Sequence, residues 1–116
     1  MDKYRPIYYA GASGDFNPIH IDPAFAKNVG LEGNILQGLC TMAWVSMAVT
    51  SWTGDIRSIK TLKGRFSKPV RPEDMITITG RIVSIEGTRI KIEISANNQK
   101  REQVISHAFA EVELPD

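Results

Sequence analysis

The sequence predicts an α+β domain in which the helices occupy the first half of the chain and the strands the second half. Two observations support this prediction. Residues 38–54 carry apolar side chains on nearly every side of a helix, and residues 56–114 contain stretches in which apolar and polar side chains alternate. Because the two patterns are segregated along the chain, we expect helices packed on an antiparallel sheet and not alternating βαβ units.

Two short helices are predicted before residue 30. The first covers residues 7–13, and Gly14 can end it in the left-handed conformation. The second covers residues 21–29, because Asp22 can cap its start and Pro23 suits the first helical position. Each helix therefore has its own signal for where it starts or stops.

The longest predicted helix begins at Gly38 and stops at Gly54. About sixteen residues give a rod of about 24 Å, which is a suitable length to lie across a small curved sheet. Since its apolar residues point in nearly every direction, we expect the strands that follow to bury it on all sides. Cys40 lies in this apolar run, and buried packing explains it better than a nucleophilic role.

Four strands are predicted in the second half, at residues 56–70, 75–86, 88–96 and 103–114. In the third, isoleucines alternate with charged residues, which is typical of a sheet with one face on a core and one face in water. Short turns join the last three strands, so these should form an antiparallel meander, whereas Pro69 and Pro72 interrupt pairing after the first strand. A long helix wrapped by an antiparallel sheet describes a hot-dog fold.

The composition is that of one ordinary domain spanning residues 1–116, with 42% hydrophobic and 23% charged residues. A formal net charge of +1 gives no support for nucleic acid or another polyanion as a partner. The longest apolar stretch, residues 39–52, is shorter than the ~20 residues needed to cross a membrane. A single cysteine excludes an internal disulfide and a cysteine zinc site, so we expect a soluble protein in the reducing cytoplasm.

The segment with the strongest functional signal is residues 13–20, which read Ser-Gly-Asp-Phe-Asn-Pro-Ile-His. It places a carboxylate, Asp15, and an imidazole, His20, on one short turn, and such a pair can move protons. Gly14 and Pro18 restrict the backbone of this turn. The spacing alone leaves a second interpretation open, in which Asp15 only bonds nearby backbone, as aspartates in loops commonly do.

Residues 9–22 as a whole resemble the hydratase motif of the MaoC-like hydratases and dehydratases, which include (R)-specific enoyl-CoA hydratases and bacterial 3-hydroxyacyl-thioester dehydratases. Gly38 and residues 65–74 are also similar to the family, the latter to its Arg-Phe, Pro-Val and Pro-Gly-Asp pattern. The resemblance implies a hot-dog hydro-lyase of fatty-acid metabolism. Such an enzyme hydrates trans-2-enoyl thioesters, or dehydrates (R)-3-hydroxyacyl thioesters, of coenzyme A or acyl carrier protein. It also implies no metal or redox cofactor, and a homodimer or larger homo-oligomer.

Carried over to this sequence, the resemblance implies that Asp15 and His20 are the catalytic pair that holds the water. Asn17 would orient the loop, with an ordinary turn residue as the alternative. The backbone N–H of Gly38 would bind the thioester oxygen, because a helix N terminus presents unpaired donors. A simple helix cap is the alternative for this glycine.

Three further positions are candidates to support the site or contact substrate. Gln37 stands where the family usually has a histidine; it can donate a hydrogen bond to substrate but cannot titrate. Met42 is a candidate to line the acyl tunnel, with plain core packing as the alternative. Ser46 coincides with a polar helix position that matters in some members, and the alternative is a hydroxyl bonded to the carbonyl one turn back.

The chain departs from the family at its start, because only about seven residues precede the motif helix where members usually carry a strand. We therefore expect the first strand to be absent or shortened, which would leave a sheet edge unpaired and favour pairing with a partner. This departure and Gln37 leave a second function open, a non-catalytic acyl-thioester-binding or partner subunit. A thioesterase is less favoured, because hot-dog thioesterases place their carboxylate in other sequence contexts.

Overall fold

The computed structural model describes residues 1–115, and these form helices first and strands second, as predicted. The helices are α1 (Arg5–Ser13), α2 (Pro18–Ile21), α3 (Pro23–Asn28) and α4 (Gly38–Thr53), and the strands are β1 (Ile59–Phe66), β2 (Thr77–Glu86), β3 (Arg89–Asn97) and β4 (Gln103–Glu113). The observed strands are shorter than predicted mainly at their starts and after Phe66, where two prolines follow.

The four strands form one antiparallel sheet in the order β1-β4-β3-β2. The last three strands pair with their neighbours in sequence, which confirms the predicted meander, and β1 returns to pair with β4. Helix α4 crosses one face of this sheet: Met42 lies against Gly64 of β1, and Trp52 lies over Gly80 of β2. The buried core lies between them, and the arrangement is the predicted hot-dog fold.

The predicted helix over residues 21–29 is instead two short helices, α2 and α3, which meet at Asp22. The backbone of Asp22 is extended, with φ −121° and ψ 101°, and its side chain accepts the N–H groups of Ala24 and Phe25. Asp22 therefore caps α3, as predicted, and the cap itself separates the two helices. Helix α2 begins early because Pro18 occupies its first turn.

Helix α4 is not buried on all sides, so that prediction was wrong for this chain. Its buried residues, Cys40, Thr41, Val45 and Val49, face the sheet. On the other side Leu39 and Met47 are 68% and 66% exposed. One four-stranded sheet covers only one side of a helix, and the far side stays apolar and open. Cys40 is buried as expected, and this burial raises the pKa of its thiol.

Helix α1 is the first regular element among residues 1–115, and residues 1–4 before it form no strand. The start of the chain is hydrogen-bonded to the turn after β1, where the N–H of Glu73 donates to the carbonyl of Met1 at 2.7 Å. The nitrogen of Met1 in turn contacts the carbonyl of Asp74. Strands β1 and β2 form the two edges of the sheet.

Glu73 occupies a strained backbone position, with φ +71°, in the middle of the Pro-Glu-Asp turn after β1. A left-handed conformation costs a residue with a Cβ about 1–2 kcal/mol, and glycine avoids that cost but loses more entropy on folding. We therefore expect Glu73→Gly to be more stable to urea than Glu73→Ala by about 0.5–1 kcal/mol. Equal stability of the two variants would contradict this.

Candidate active site

The loop that carries the motif is built from successive local hydrogen bonds. Ser13, the last residue of α1, donates its hydroxyl to the carbonyl of Tyr9 at 2.7 Å and accepts the N–H of Asp15 at 3.1 Å. Asp15 Oδ1 then accepts the N–H of Asn17 at 3.3 Å, and Asn17 Oδ1 accepts the N–H of Ile19 at 3.2 Å. Each short polar side chain thus fixes the backbone two residues onward.

Asn17 acts on this loop as the N-cap of α2. Its backbone N–H holds one oxygen of Asp15, and its side chain starts the helix that carries His20. The structure therefore combines both interpretations of Asn17: it is a turn residue, and through the turn it sets the positions of the two candidate catalytic groups.

His20 is buried and held in one orientation. Its Nδ1 lies 2.9 Å from the carbonyl oxygen of Ile35, which can only accept a hydrogen bond. Nδ1 must therefore carry the proton, and in the neutral ring Nε2 keeps a free lone pair. Nε2 lies 3.6 Å from Asp15 Oδ2, too far for a direct hydrogen bond.

These two atoms are hydrogen-bond acceptors that lie side by side. A water molecule carries two protons, so one water can donate to Asp15 Oδ2 and to His20 Nε2 together. The side chain of His20 is 10% exposed and that of Asp15 is 48% exposed. The imidazole is thus anchored in the fold, and the carboxylate stands at the surface where water and a ligand can reach it.

Gly38 begins α4, and the N–H groups of Gly38 and Leu39 have no acceptor among residues 1–115. Two unpaired donors at the positive end of a sixteen-residue helix suit an oxygen that gains negative charge. Gly38 does not adopt a left-handed conformation, so its backbone does not require glycine. The reason is space: a Cβ on Gly38 would lie 2.8 Å from the ring of Phe66.

The segment before α4 connects this helix start to His20. The carbonyl of Ile35 holds the imidazole, and the N–H of Ile35 donates to the carbonyl of Ile19 at 3.0 Å. The N–H of Leu36 donates to the carbonyl of Val70 at 2.7 Å. The carbonyl that orients His20 is therefore three residues from Gly38, in a loop segment held by backbone hydrogen bonds to Ile19 and Val70.

Gln37 is buried in the protein interior and not at the surface of the site. Its side chain is 1% exposed, and its Nε2 donates to the carbonyl of Pro6 at 2.9 Å. Its Oε1 is buried and has no donor among the described residues. The amide therefore connects α4 to α1 inside the protein and reaches no surface in this single chain.

Met42 and Ser46 lie further along α4, and both are half-buried. The methyl group of Met42 lies 3.2 Å from where a Cβ on Gly64 would be, so this side chain packs between helix and sheet. That contact favours the core interpretation of Met42. The hydroxyl of Ser46 makes no hydrogen bond within the described part of the chain, so the bond to the preceding turn is not formed.

Two concave surfaces lie away from this site. One, of about 550 Å³, is on the outer face of the sheet around His107. The other, of about 520 Å³, is an apolar cleft between Trp52 and strand β2. Neither contains Asp15 or His20, whose loop is open to solvent in the single chain.

No three histidine, cysteine, aspartate or glutamate side chains among residues 1–115 come close enough together to hold a metal ion. Likewise, no helix among these residues has the length and apolar character needed to cross a membrane.

Comparison with known families agrees with this geometry. A family model described as a MaoC like domain matches residues 4–104. The chain belongs to the MaoC-like family. The match covers the motif loop, α4 and most of the sheet, so it includes every candidate site residue.

Individual relatives are much longer than this chain. The peroxisomal multifunctional enzyme type 2 of Mus musculus is 36% identical over 102 residues, which are 86% of this chain and 13% of that protein. A probable enoyl-CoA hydratase 2 of Dictyostelium discoideum is 37% identical over 111 residues, 94% of this chain and 37% of that protein. A solved MaoC-like dehydratase superposes with a TM-score of 0.94 at 26% identity, over 99% of this chain and 37% of that one.

Proposed function

We propose that residues 1–116 form a single domain that catalyses the reversible hydration of trans-2-enoyl thioesters, with coenzyme A or acyl carrier protein as the thiol. In the reverse direction the substrate is an (R)-3-hydroxyacyl thioester. The observation that carries the proposal is the 3.6 Å gap between Asp15 Oδ2 and His20 Nε2, two acceptors that one water can bridge. Membership in the MaoC-like family and similarity to proteins named enoyl-CoA hydratase support the same reaction.

In this mechanism the water binds between Asp15 and His20. As its oxygen forms a bond to C3 of the substrate, one of its protons moves to His20 Nε2. The π electrons shift through C2 to the thioester oxygen, which accepts hydrogen bonds from the N–H of Gly38 and its neighbour. C2 then takes one proton from the pair, so the elements of one water have been added.

Each protein group in this mechanism has a defined role. The carbonyl of Ile35 keeps the Nε2 lone pair of His20 toward the water, because it holds the proton on Nδ1. The charge of Asp15 stabilises the imidazolium that forms, as a carboxylate does beside a catalytic histidine. No metal or redox cofactor is needed for this sequence of proton transfers.

We also propose a homodimer or larger homo-oligomer, with a partner subunit of a different sequence as the alternative. Support comes from the half-exposed carboxylate of Asp15 and the apolar outer side of α4 at Leu39 and Met47. The single cysteine supports a cytoplasmic location, whereas the mouse relative is named as peroxisomal. Light scattering on the purified protein tests the oligomeric state, and a tagged copy tests the location.

The test of the reaction is the loss of enoyl absorbance when the purified protein is mixed with crotonyl-CoA. Loss of absorbance without release of free thiol supports the hydratase. Release of thiol would support a thioesterase instead. Absence of both reactions, across acyl chain lengths and with carrier-protein substrates, would favour the non-catalytic binding subunit.

A further inference from the structure

The buried amide of Gln37 is the polar group in this region that the proposed mechanism does not use. Buried polar side chains almost always have hydrogen-bond partners, so a fully buried glutamine indicates a contact that compensates for its desolvation. Here that contact is the bond from Nε2 to the carbonyl of Pro6, which joins residues 31 positions apart in sequence. It is a long-range hydrogen bond that connects α1 to the start of α4.

Each helix joined by this bond carries part of the candidate site. Pro6 is in the first turn of α1, and Ser13 at the other end of α1 holds the N–H of Asp15. Gln37 is the N-cap of α4 and lies between Gly38 and the segment whose carbonyl orients His20. A shift of α1 relative to α4 would therefore change the separation of the carboxylate from the imidazole.

We propose that Gln37 is a positioning residue, whose amide ties the first turn of α1 to the start of α4 and so sets the distance between Asp15 and His20. This inference rests on the proposed function. Because its side chain is buried, Gln37 acts through α1 and the residues before α4. Its Oε1 has no hydrogen-bond partner among the described residues, so the bond from Nε2 to the carbonyl of Pro6 is the contact that fixes the orientation of the amide.

Two variants and one control test this inference. Gln37→Leu removes the donor and leaves the carbonyl of Pro6 without its partner. Gln37→His keeps a ring N–H that can donate. Ser58→Ala is the control, because Ser58 is equally buried but bonds Thr53 and Asp55 at the opposite end of α4. All three proteins are compared by thermal unfolding, steady-state hydration of crotonyl-CoA, and the ring signals of His20 in NMR spectra.

We expect Gln37→Leu to lower kcat about 10- to 100-fold with KM within about threefold, because a misplacement of about 1 Å costs this much. The ring signals of His20 should shift in the same variant without substrate. Gln37→His should keep kcat within about fivefold of wild type, because the tie is retained. Ser58→Ala should lower the melting temperature and leave kcat and the His20 signals unchanged.

A purely structural role for Gln37 gives a different result. In that case Gln37→Leu and Ser58→Ala lose stability alike, and neither changes kcat or the His20 signals, which would overturn the inference. The NMR measurement needs no activity. If the wild type hydrates no thioester but Gln37→Leu still shifts the His20 signals, the proposed function fails and the positioning role of Gln37 stands.

Discussion

Replacement of His20 by alanine, or of Asp15 by asparagine, is expected to lower kcat/KM for an enoyl thioester by about 100- to 10,000-fold. His20→Ala removes the lone pair that accepts the proton of the water. Asp15→Asn keeps the shape of the loop, since its Oδ1 can still accept the N–H of Asn17, but it removes the charge that stabilises the imidazolium. In the proposed mechanism the two groups act on one water, so the double variant should be little slower than the slower single variant.

The enoyl absorbance assay measures these rates. His107→Ala is a matched control, because His107 is the other histidine of the chain and is exposed on β4, away from the motif loop. Its activity should stay within about twofold of wild type, as expected for a surface substitution. An Asp15→Asn variant with more than a tenth of wild-type activity would show that the carboxylate does not hold the reacting water.

The substitution Gly38→Ala, which adds one methyl group, is expected to lower kcat/KM about 100-fold, in the range caused by loss of one oxyanion contact. The new Cβ would lie 2.8 to 3.1 Å from three ring atoms of Phe66. The ring has to move, and overpacking of this kind costs about 1–3 kcal/mol of stability. The same methyl group stands beside the N–H that would bind the thioester oxygen.

A second substitution separates the two effects at Gly38. In Gly38→Ala with Phe66→Leu the smaller side chain makes room, so the melting temperature should recover while kcat/KM stays low. Gly33→Ala is the control, because a Cβ there meets no atom within 4 Å and the backbone is not left-handed. If the double variant recovered activity as well as stability, the role of Gly38 would be only to leave space for the ring of Phe66.

The proposed catalytic pair was predictable because its geometry is local. Asp15 and His20 are five residues apart, and the side chains between and before them bond backbone two residues away. Interactions of such short range can be inferred from residue types, as can the N-cap at Asp22. The same holds for the alternation of isoleucines that defines the inner face of β3.

Contacts between distant segments could not be predicted in the same way. The acceptor that fixes the tautomer of His20 is a backbone carbonyl, at Ile35, and every residue carries such a group. The role of Gln37 depends on the carbonyl of Pro6 for the same reason. Phe66 belongs to a recognised sequence pattern, yet nothing in that pattern shows that its ring lies against Gly38.

The α+β class, the meander of β2 to β4 and the turn that brings Asp15 near His20 follow from local sequence, because propensity, periodicity and short-range hydrogen bonds act within a few residues. Three features became visible only in the folded chain: the side of α4 that meets the sheet, the free nitrogen of His20, and the burial of Gln37. Those outcomes depend on how helices and sheet pack, and packing is settled by groups far apart in the chain.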